Sequence, residues 1–253
     1  MMEVRAKKYL GQHFLRDEGI ARQIADSLTG AIPRVLEIGP GMGVLTKYLY
    51  HRAGLDFHAI EIDPESVEYL HGHYPDLHVI EGDFLALDLA TLFDEPFAII
   101  GNFPYNISSQ ILFKLFDNRD CVPELVGMFQ KEVAERVAAR AGSKTYGILS
   151  VLLSAYYDIE YLFTVPEYVF TPPPKVKSAV IRLRRNRVVS LECDEALFVR
   201  VVKAGFNQRR KTLRNALQQL RMPLDGIPAD LLAMRAEQLS VSQFVAITQI
   251  LSE

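Results

Sequence analysis

The chain has 253 residues, 49% of them hydrophobic, a length that suits one large domain or a large one with a small appendage. No apolar run approaches the roughly 20 residues of a spanning helix, and "MMEVRAKKYLGQHFL" lacks the apolar stretch and cleavage site of a secretory signal, so a membrane or exported protein is disfavoured and a cytoplasmic one expected. Cys121 and Cys193 lie far apart without CxxC spacing or a nearby histidine cluster, which argues against a metal site or a disulfide framework, and the net charge of −3 argues at first sight against a polyanionic partner.

In chain order, a basic arm comes first, with Arg5, Lys7, Lys8 and Arg16. Next, "DEGIARQIADSL" spaces Ile20, Ile24 and Leu28 four residues apart, which predicts an amphipathic helix. Short apolar runs then alternate with helical patterns. "RVLEI" (34–38) reads as a strand, a helix follows from about Val44, then strand "DFHAIEI", a helix from Pro64, and strands "LHVIE" and "FAIIG". "QILFKLF" reads as a helix, "ELVGMFQ" as a strand and "YGILSVLLSAYY" as a buried helix. This alternation implies crossover connections and a mostly parallel α/β sheet covered on both faces. In such sheets ligands sit beyond the carboxyl ends of the strands.

Beyond residue 155, "YDIEYLFTVP" and "KVKSAVIRLRR" read as β segments separated by the stiff "TPPP" of residues 171–174, so the sheet is expected to end in an antiparallel pair. From Asp194 the periodicity is helical, with breaks at Pro223 and Pro228. Residues 1–188 are therefore read as the first domain and 189–253 as a small all-helical one. Charge is segregated along this order. Ala53 to Phe113 carries eleven Asp or Glu and no Lys or Arg, Tyr168 to Leu191 six Lys or Arg and no acid, and Val199 to Arg221 seven cations and no acid. Each block alone reads equally as a solvated face; together they make a basic surface able to steer a nucleic acid. In "FNQRRKTLRNAL" the cations Arg209, Arg210, Lys211 and Arg214 are expected on nearby turns of one helix, facing phosphates or simply solubilising that face.

The chemistry concentrates at the strand ends. "VLEIGPGMGVLT" follows a strand and opens a helix; Gly39, Gly41 and Gly43 allow a tight turn and close approach of backbone to a ligand, or mark only a tight connection. Glu61 in "IEIDP" ends the next strand, where a carboxylate can accept both ribose hydroxyls of a dinucleotide or of S-adenosylmethionine. The third strand ends at Asp83, which suits an adenine amino group and equally suits the N-cap of a following helix. The fourth delivers "NFPY". There the Asn102 carbonyl and a backbone carbonyl fixed by Pro104 can take hydrogen bonds from an exocyclic amine, and Tyr105 can stack on its ring. Alternatively this stretch is a helix start capped by Asn106 or Ser108.

"NFPY" resembles the NLPY form of the amino-methyltransferase motif used by the ribosomal RNA adenine dimethyltransferases. "KKYLGQHFLRD", "LEIGPGMGVLT", "IEIDP", "EGDFL", "GNFPYNISSQIL", "FQKEVAERVAA", "YGILSV", "VFTPPPKVKSAVIRL" and "FNQRRKTLRNAL" follow in order over nearly the full chain, which is similar to the small-subunit branch of that family. The resemblance implies a Rossmann-like class I S-adenosylmethionine-dependent methyltransferase domain followed by a helical RNA-docking domain, with no metal. It implies that His13, Leu15, Gly39, Gly41, Glu61, Asp83 and Asn102 contact the cofactor. Asn102, Pro104 and Tyr105 would form the catalytic loop, with Phe170 on the other face of the target adenine. The expected RNA contacts are Lys7, Lys8, Lys175, Lys177, Arg209, Arg210, Lys211 and Arg214. The implied substrate is two adjacent adenosines in the 3′-terminal hairpin of 16S rRNA in a pre-30S particle, methylated by a monomer. A base inside a duplex cannot reach such a pocket, so a loop or flipped base is required. Phe103 stands where leucine is usual, and His13 where many members have asparagine. The competing readings are a large-subunit rRNA adenine methyltransferase and a non-catalytic RNA-binding assembly factor.

Overall fold

The computed structural model describes residues 4–252. The arm passes through a short turn (Lys8–Leu10) into strand β1 (Phe14–Leu15) and helix α1 (Glu18–Asp26), whose first turn is capped by the Asp17 carboxylate accepting the Ile20 N–H at 2.9 Å. The alternating region is β2 (Arg34–Ile38), α2 (Thr46–Leu49), β3 (Asp56–Glu61), α3 (Pro64–His73), β4 (His78–Glu81), β5 (Ala98–Asn102), α4 (Ser108–Asp117) and β6 (Glu124–Gln130). Then come α5 (Lys131–Val137), α6 (Ile148–Ser154), β7 (Tyr157–Val165), β8 (Phe170–Thr171) and β9 (Ser178–Arg185). Helices α7 (Glu195–Asn207), α8 (Leu213–Leu217), α9 (Ala229–Ala233) and α10 (Val241–Ser252) complete the chain.

The sheet has the order β4-β3-β2-β5-β6-β9-β7. The first five strands are parallel, and β9 runs antiparallel to β6 from Glu124↔Arg184 to Gln130↔Ser178. The expected α/β architecture and its antiparallel close are both present. Unbroken apolar runs such as "AII" in β5 and "LV" in β6 are buried because helices cover both faces of a parallel sheet. Chain order reverses between β2 and β5, so the ends of β2, β3, β4 and β5 open on one crevice at the switch point. The core of this region joins Val35, Ala98, Ile100, Val126 and Val180 from the sheet to Ile24 and Leu70 from α1 and α3. A second, two-stranded sheet was not expected: β1 pairs antiparallel with β8, Leu15 opposite Phe170, and fastens the arm to the segment before "TPPP".

Spatial proximity divides the chain into two units, Met1–Ala134 with Glu160–Arg185, and Glu135–Ile159 with Asn186–Glu253. The expected cut at 188/189 lies beside the last of three crossings, Arg185/Asn186, while residues 135–159 group with the helical unit. The reason is α6: Leu149, Val151, Leu152 and Leu153 are all buried, and the helix packs on α7 and α10. The basic stretch also differs from expectation. Arg209, Arg210 and Lys211 are not on a helix but in a turn between α7 and α8, closed by the Lys211 N–H on the Gln208 carbonyl at 2.8 Å; Arg214 alone is helical. "NQRRK" offers no apolar side chain at helical spacing, so nothing holds this stretch to the core until Leu213, which is buried.

Candidate functional site

The glycine turn after β2 takes left-handed backbone, with φ +65° at Gly39 and +56° at Gly41. A Cβ on Gly41 would lie 2.8 Å from the Phe14 ring, whereas one on Gly39 would meet no protein atom within 4 Å and would project into the cleft. The cleft is lined by the ends of β2, β3, β4 and β5 and by the arm from Tyr9 to Phe14.

Glu61 ends β3 as a buried carboxylate. Its Oε1 accepts the Ile62 and Asp63 N–H groups, both at 2.9 Å, and its Oε2 accepts the Gly41 N–H at 3.0 Å. Burial pushes its carboxyl above the usual range, against the lowering effect of the three amides. One strand over, Asp83 Oδ1 caps the following turn by accepting the Leu85 N–H at 2.8 Å. Its two readings are compatible, since Asp83 also lines the cleft and has a second oxygen for a ligand.

Asn102 ends β5. Its Nδ2 donates to the His13 carbonyl at 2.9 Å, which leaves Oδ1 as an acceptor. Phe103 donates its N–H to the Met128 carbonyl at 3.2 Å, and its buried ring covers Gly101 and Gly127, which lie opposite one another in β5 and β6. The Pro104 carbonyl is occupied by the Ile107 N–H and the Ser108 hydroxyl, each at 3.3 Å. The Phe103 carbonyl, on the amide to Pro104, has no hydrogen-bond partner among the described residues. Of the Phe103 and Pro104 carbonyls, that of Phe103 is the one left free to accept. Tyr105 hydrogen-bonds Ser178 through its hydroxyl and stacks on the His13 ring at 5.3 Å between centroids and 27° between planes. His13 in turn places Nδ1 2.7 Å from the Pro172 carbonyl. The stretch does lead into a helix, α4 from Ser108, but the expected cap by Asn106 or Ser108 is absent: Ile107 is the N-cap residue and no side chain caps it.

The structure thus brings together His13, Gly39, Gly41, Glu61, Asp83, Asn102, Pro104 and Tyr105. Four other expected site residues lie outside this group or make contacts that the sequence did not suggest. Leu15 and Phe170 are 4% and 2% exposed, partners in the β1–β8 pair, with side chains in the core and outside the cleft lining. In this arrangement Phe170 presents no face to a base. Lys7 pairs through its ammonium with Asp63 and, at 3.2 Å, with Glu65. Arg209, in the second unit, pairs with Glu237 at 3.2 Å and donates to the Lys144 carbonyl. Lys8, Lys175, Lys177, Arg210, Lys211 and Arg214 are exposed, and so is Arg209 despite its pairing. Sequence reasoning missed Gln12, Phe14 and Asn106 as cleft residues; the arm's "YLGQHF" was the available signal, but nothing in its composition says that it folds back over the strand ends.

Residues 3–253 match the family described as ribosomal RNA adenine dimethylase. The chain is 60% identical over 256 residues to the ribosomal RNA small subunit methyltransferase A of Cytophaga hutchinsonii, covering 100% of this chain and 99% of that one. It is 57% identical over 254 residues to the protein of the same name in Flavobacterium johnsoniae, covering 98% and 97%. Among solved structures, a dimethyladenosine transferase from Plasmodium falciparum is similar with TM-score 0.75 at 27% identity, over 93% of this chain and 96% of that one. The 23S rRNA methyltransferase ErmE gives TM-score 0.73 at 27% identity, over 95% and 100%.

Proposed function

The chain belongs to the ribosomal RNA adenine dimethylase family, and on that premise we propose how its cleft carries out the reaction and on which particle. The protein is an S-adenosylmethionine-dependent rRNA adenine-N6,N6-dimethyltransferase of the small-subunit type. The observation that carries the residue assignment is the pair of free acceptors at the end of β5, Asn102 Oδ1 and the Phe103 carbonyl, beside the carboxylates of Glu61 and Asp83.

When bound, S-adenosylmethionine supplies an electrophilic methyl group. The residues fit this donor: the open space in front of Gly39 admits it closely, Glu61 Oε2 at the turn suits ribose hydroxyls, and the uncapped oxygen of Asp83 suits the adenine amino group. On the acceptor side, the amine of the target adenine is a weak nucleophile because its lone pair is delocalised into the ring. Asn102 Oδ1 and the Phe103 carbonyl accept its two N–H groups and favour a more tetrahedral nitrogen whose lone pair faces the methyl. After transfer the nitrogen is acidic and releases a proton to water, so no strong base is needed. Tyr105, held by Ser178 and backed by His13, offers its remaining face to the base and keeps it from sliding.

The substrate is two adjacent adenosines in the 3′-terminal hairpin of 16S rRNA, within a pre-30S particle in the cytoplasm, and the protein acts as a monomer. Among the described residues no helix is long and apolar enough to cross a membrane. A large-subunit target is disfavoured because identity is 60% to a small-subunit enzyme against 27% to ErmE. Loss of catalysis is disfavoured by the intact Glu61, Asp83 and "NFPY". Primer extension on both rRNAs of a deletion strain tests the assignment. Unmodified tandem adenosines are expected in the small subunit, and a change confined to the large subunit would refute it.

A further inference from the structure

Asp63 is two residues beyond Glu61, and its side chain is 0% exposed. Two arm residues converge on it: Lys7 through its ammonium on Oδ1, and Gln12 through Nε2, 3.4 Å from Oδ2. The Lys7 N–H donates to Gln12 Oε1 at 2.8 Å, so the same two residues also close the arm on itself. Ser66 donates its hydroxyl to Oδ2 at 3.0 Å, and the Asp63 N–H reaches Glu61 Oε1. A continuous chain of polar contacts therefore runs from Lys7 through Asp63 and Glu61 to the glycine turn at Gly41. At its other end the arm is fastened at β5, where the His13 carbonyl accepts from Asn102. Between these anchors Tyr9, Leu10, Gly11, Gln12 and His13 line the cleft. Gly11 bends there with φ +67°, where a Cβ would lie 2.6 Å from Asn106 Oδ1.

We propose that Lys7 and Gln12 latch the arm to Asp63 and so close it over the adenosyl donor, which makes Lys7 a positioning residue for the cofactor and not an RNA contact. The proposal rests on the reading of the cleft as the donor site. Lys7 differs here from its neighbour Lys8, which is exposed and shows no such pairing among the described residues. The hydrogen bond to Asp63 raises the Lys7 pKa. Burial pushes the Asp63 carboxyl up, but the bonds from Lys7, Ser66 and Gln12 outweigh it and hold it below its usual value. Without Lys7 a buried carboxylate loses its charged partner and the arm loses its hold at β3.

The test is calorimetric titration of S-adenosylmethionine into the full-length protein without RNA, for wild type, Lys7→Ala and Lys7→Arg, followed by steady-state kinetics on undermodified small subunits. Lys7→Ala should weaken donor binding about tenfold. The donor KM should rise in parallel and by more than kcat falls, and Lys7→Arg should restore binding to within about twofold. The salt dependence of subunit binding should keep its wild-type slope. Wild-type donor affinity in Lys7→Ala would overturn the latch alone, as would a salt slope reduced by about one, the mark of a lost phosphate contact. A wild-type protein that binds no donor would overturn the donor-site reading, and the latch with it.

Discussion

Gly127→Ala would put a Cβ 2.2 Å from Phe103 Cε2 and 2.7 Å from Phe129 Cε2. Both rings are fully enclosed and lean on each other at 4.9 Å between centroids, so neither can swing into solvent. Relieving the overlap to at least 3.0 Å requires the Phe103 ring to move by about 0.8 Å, and that ring sits on the residue whose carbonyl is the proposed backbone acceptor. Overpacking of this kind costs about 1 to 3 kcal/mol of stability. A displacement near 1 Å at an acceptor is worth roughly 10²-fold in rate. Phe103→Leu removes the offending ring atoms, so in the Gly127→Ala background it should recover stability and rate, although alone it costs about 1 kcal/mol. Denaturant unfolding and single-turnover methyl transfer at saturating donor, run as a double-mutant cycle, should show a coupling of about 1 to 2 kcal/mol. Additivity to within about 0.5 kcal/mol, or a wild-type rate in Gly127→Ala, would refute the claim that the ring positions the loop.

Asn102→Ala should lower the single-turnover rate by roughly 10² to 10³ while donor affinity in calorimetry changes far less; full activity would remove Asn102 from the chemistry. Glu37, buried and accepting the Thr46 hydroxyl at 2.6 Å, has its carboxyl pushed up by burial to about 8 from 4.5. The folded state therefore holds a proton that the unfolded chain releases, and stability should fall as pH rises from about 4.5 to about 8. Glu37→Gln should flatten that decline in pH-dependent denaturation, and an unchanged slope would show that another group sets it. Arg210→Ala with Lys211→Ala should weaken subunit binding and flatten its salt dependence with little effect on melting temperature. Arg209→Ala should instead lower melting temperature, since it ties the turn to Glu237 and the Lys144 carbonyl; equal behaviour of the two variants would contradict the distinction.

Much of the site was legible because strand ends advertise themselves. Each of Gly39, Glu61, Asp83 and Asn102 follows an apolar run with turn residues behind it, and a parallel sheet brings such ends to one edge whatever the details. What was not legible depends on which partner a side chain finds. Lys7 reads as one more cation in a basic arm, and only folding brings it to the buried Asp63. Phe170 carries the right chemistry for stacking, yet its pairing with Leu15 turns its ring into the core. Arg209 to Lys211 keep helical spacing on paper but lack an apolar anchor, so the chain turns there. Residues 135–159 group with the helical unit because of long-range packing of α6, which composition along the chain does not register.

This cleft is proposed to dimethylate two neighbouring adenosines of small-subunit rRNA. Undermodified small subunits incubated with the protein and S-adenosylmethionine, then digested and mapped by mass spectrometry, test it most directly. Two adjacent adenosines in the 3′-terminal hairpin, each carrying two added methyl groups, are the expected product. Methylation absent from that hairpin, or found instead in large-subunit RNA offered in parallel, would contradict it.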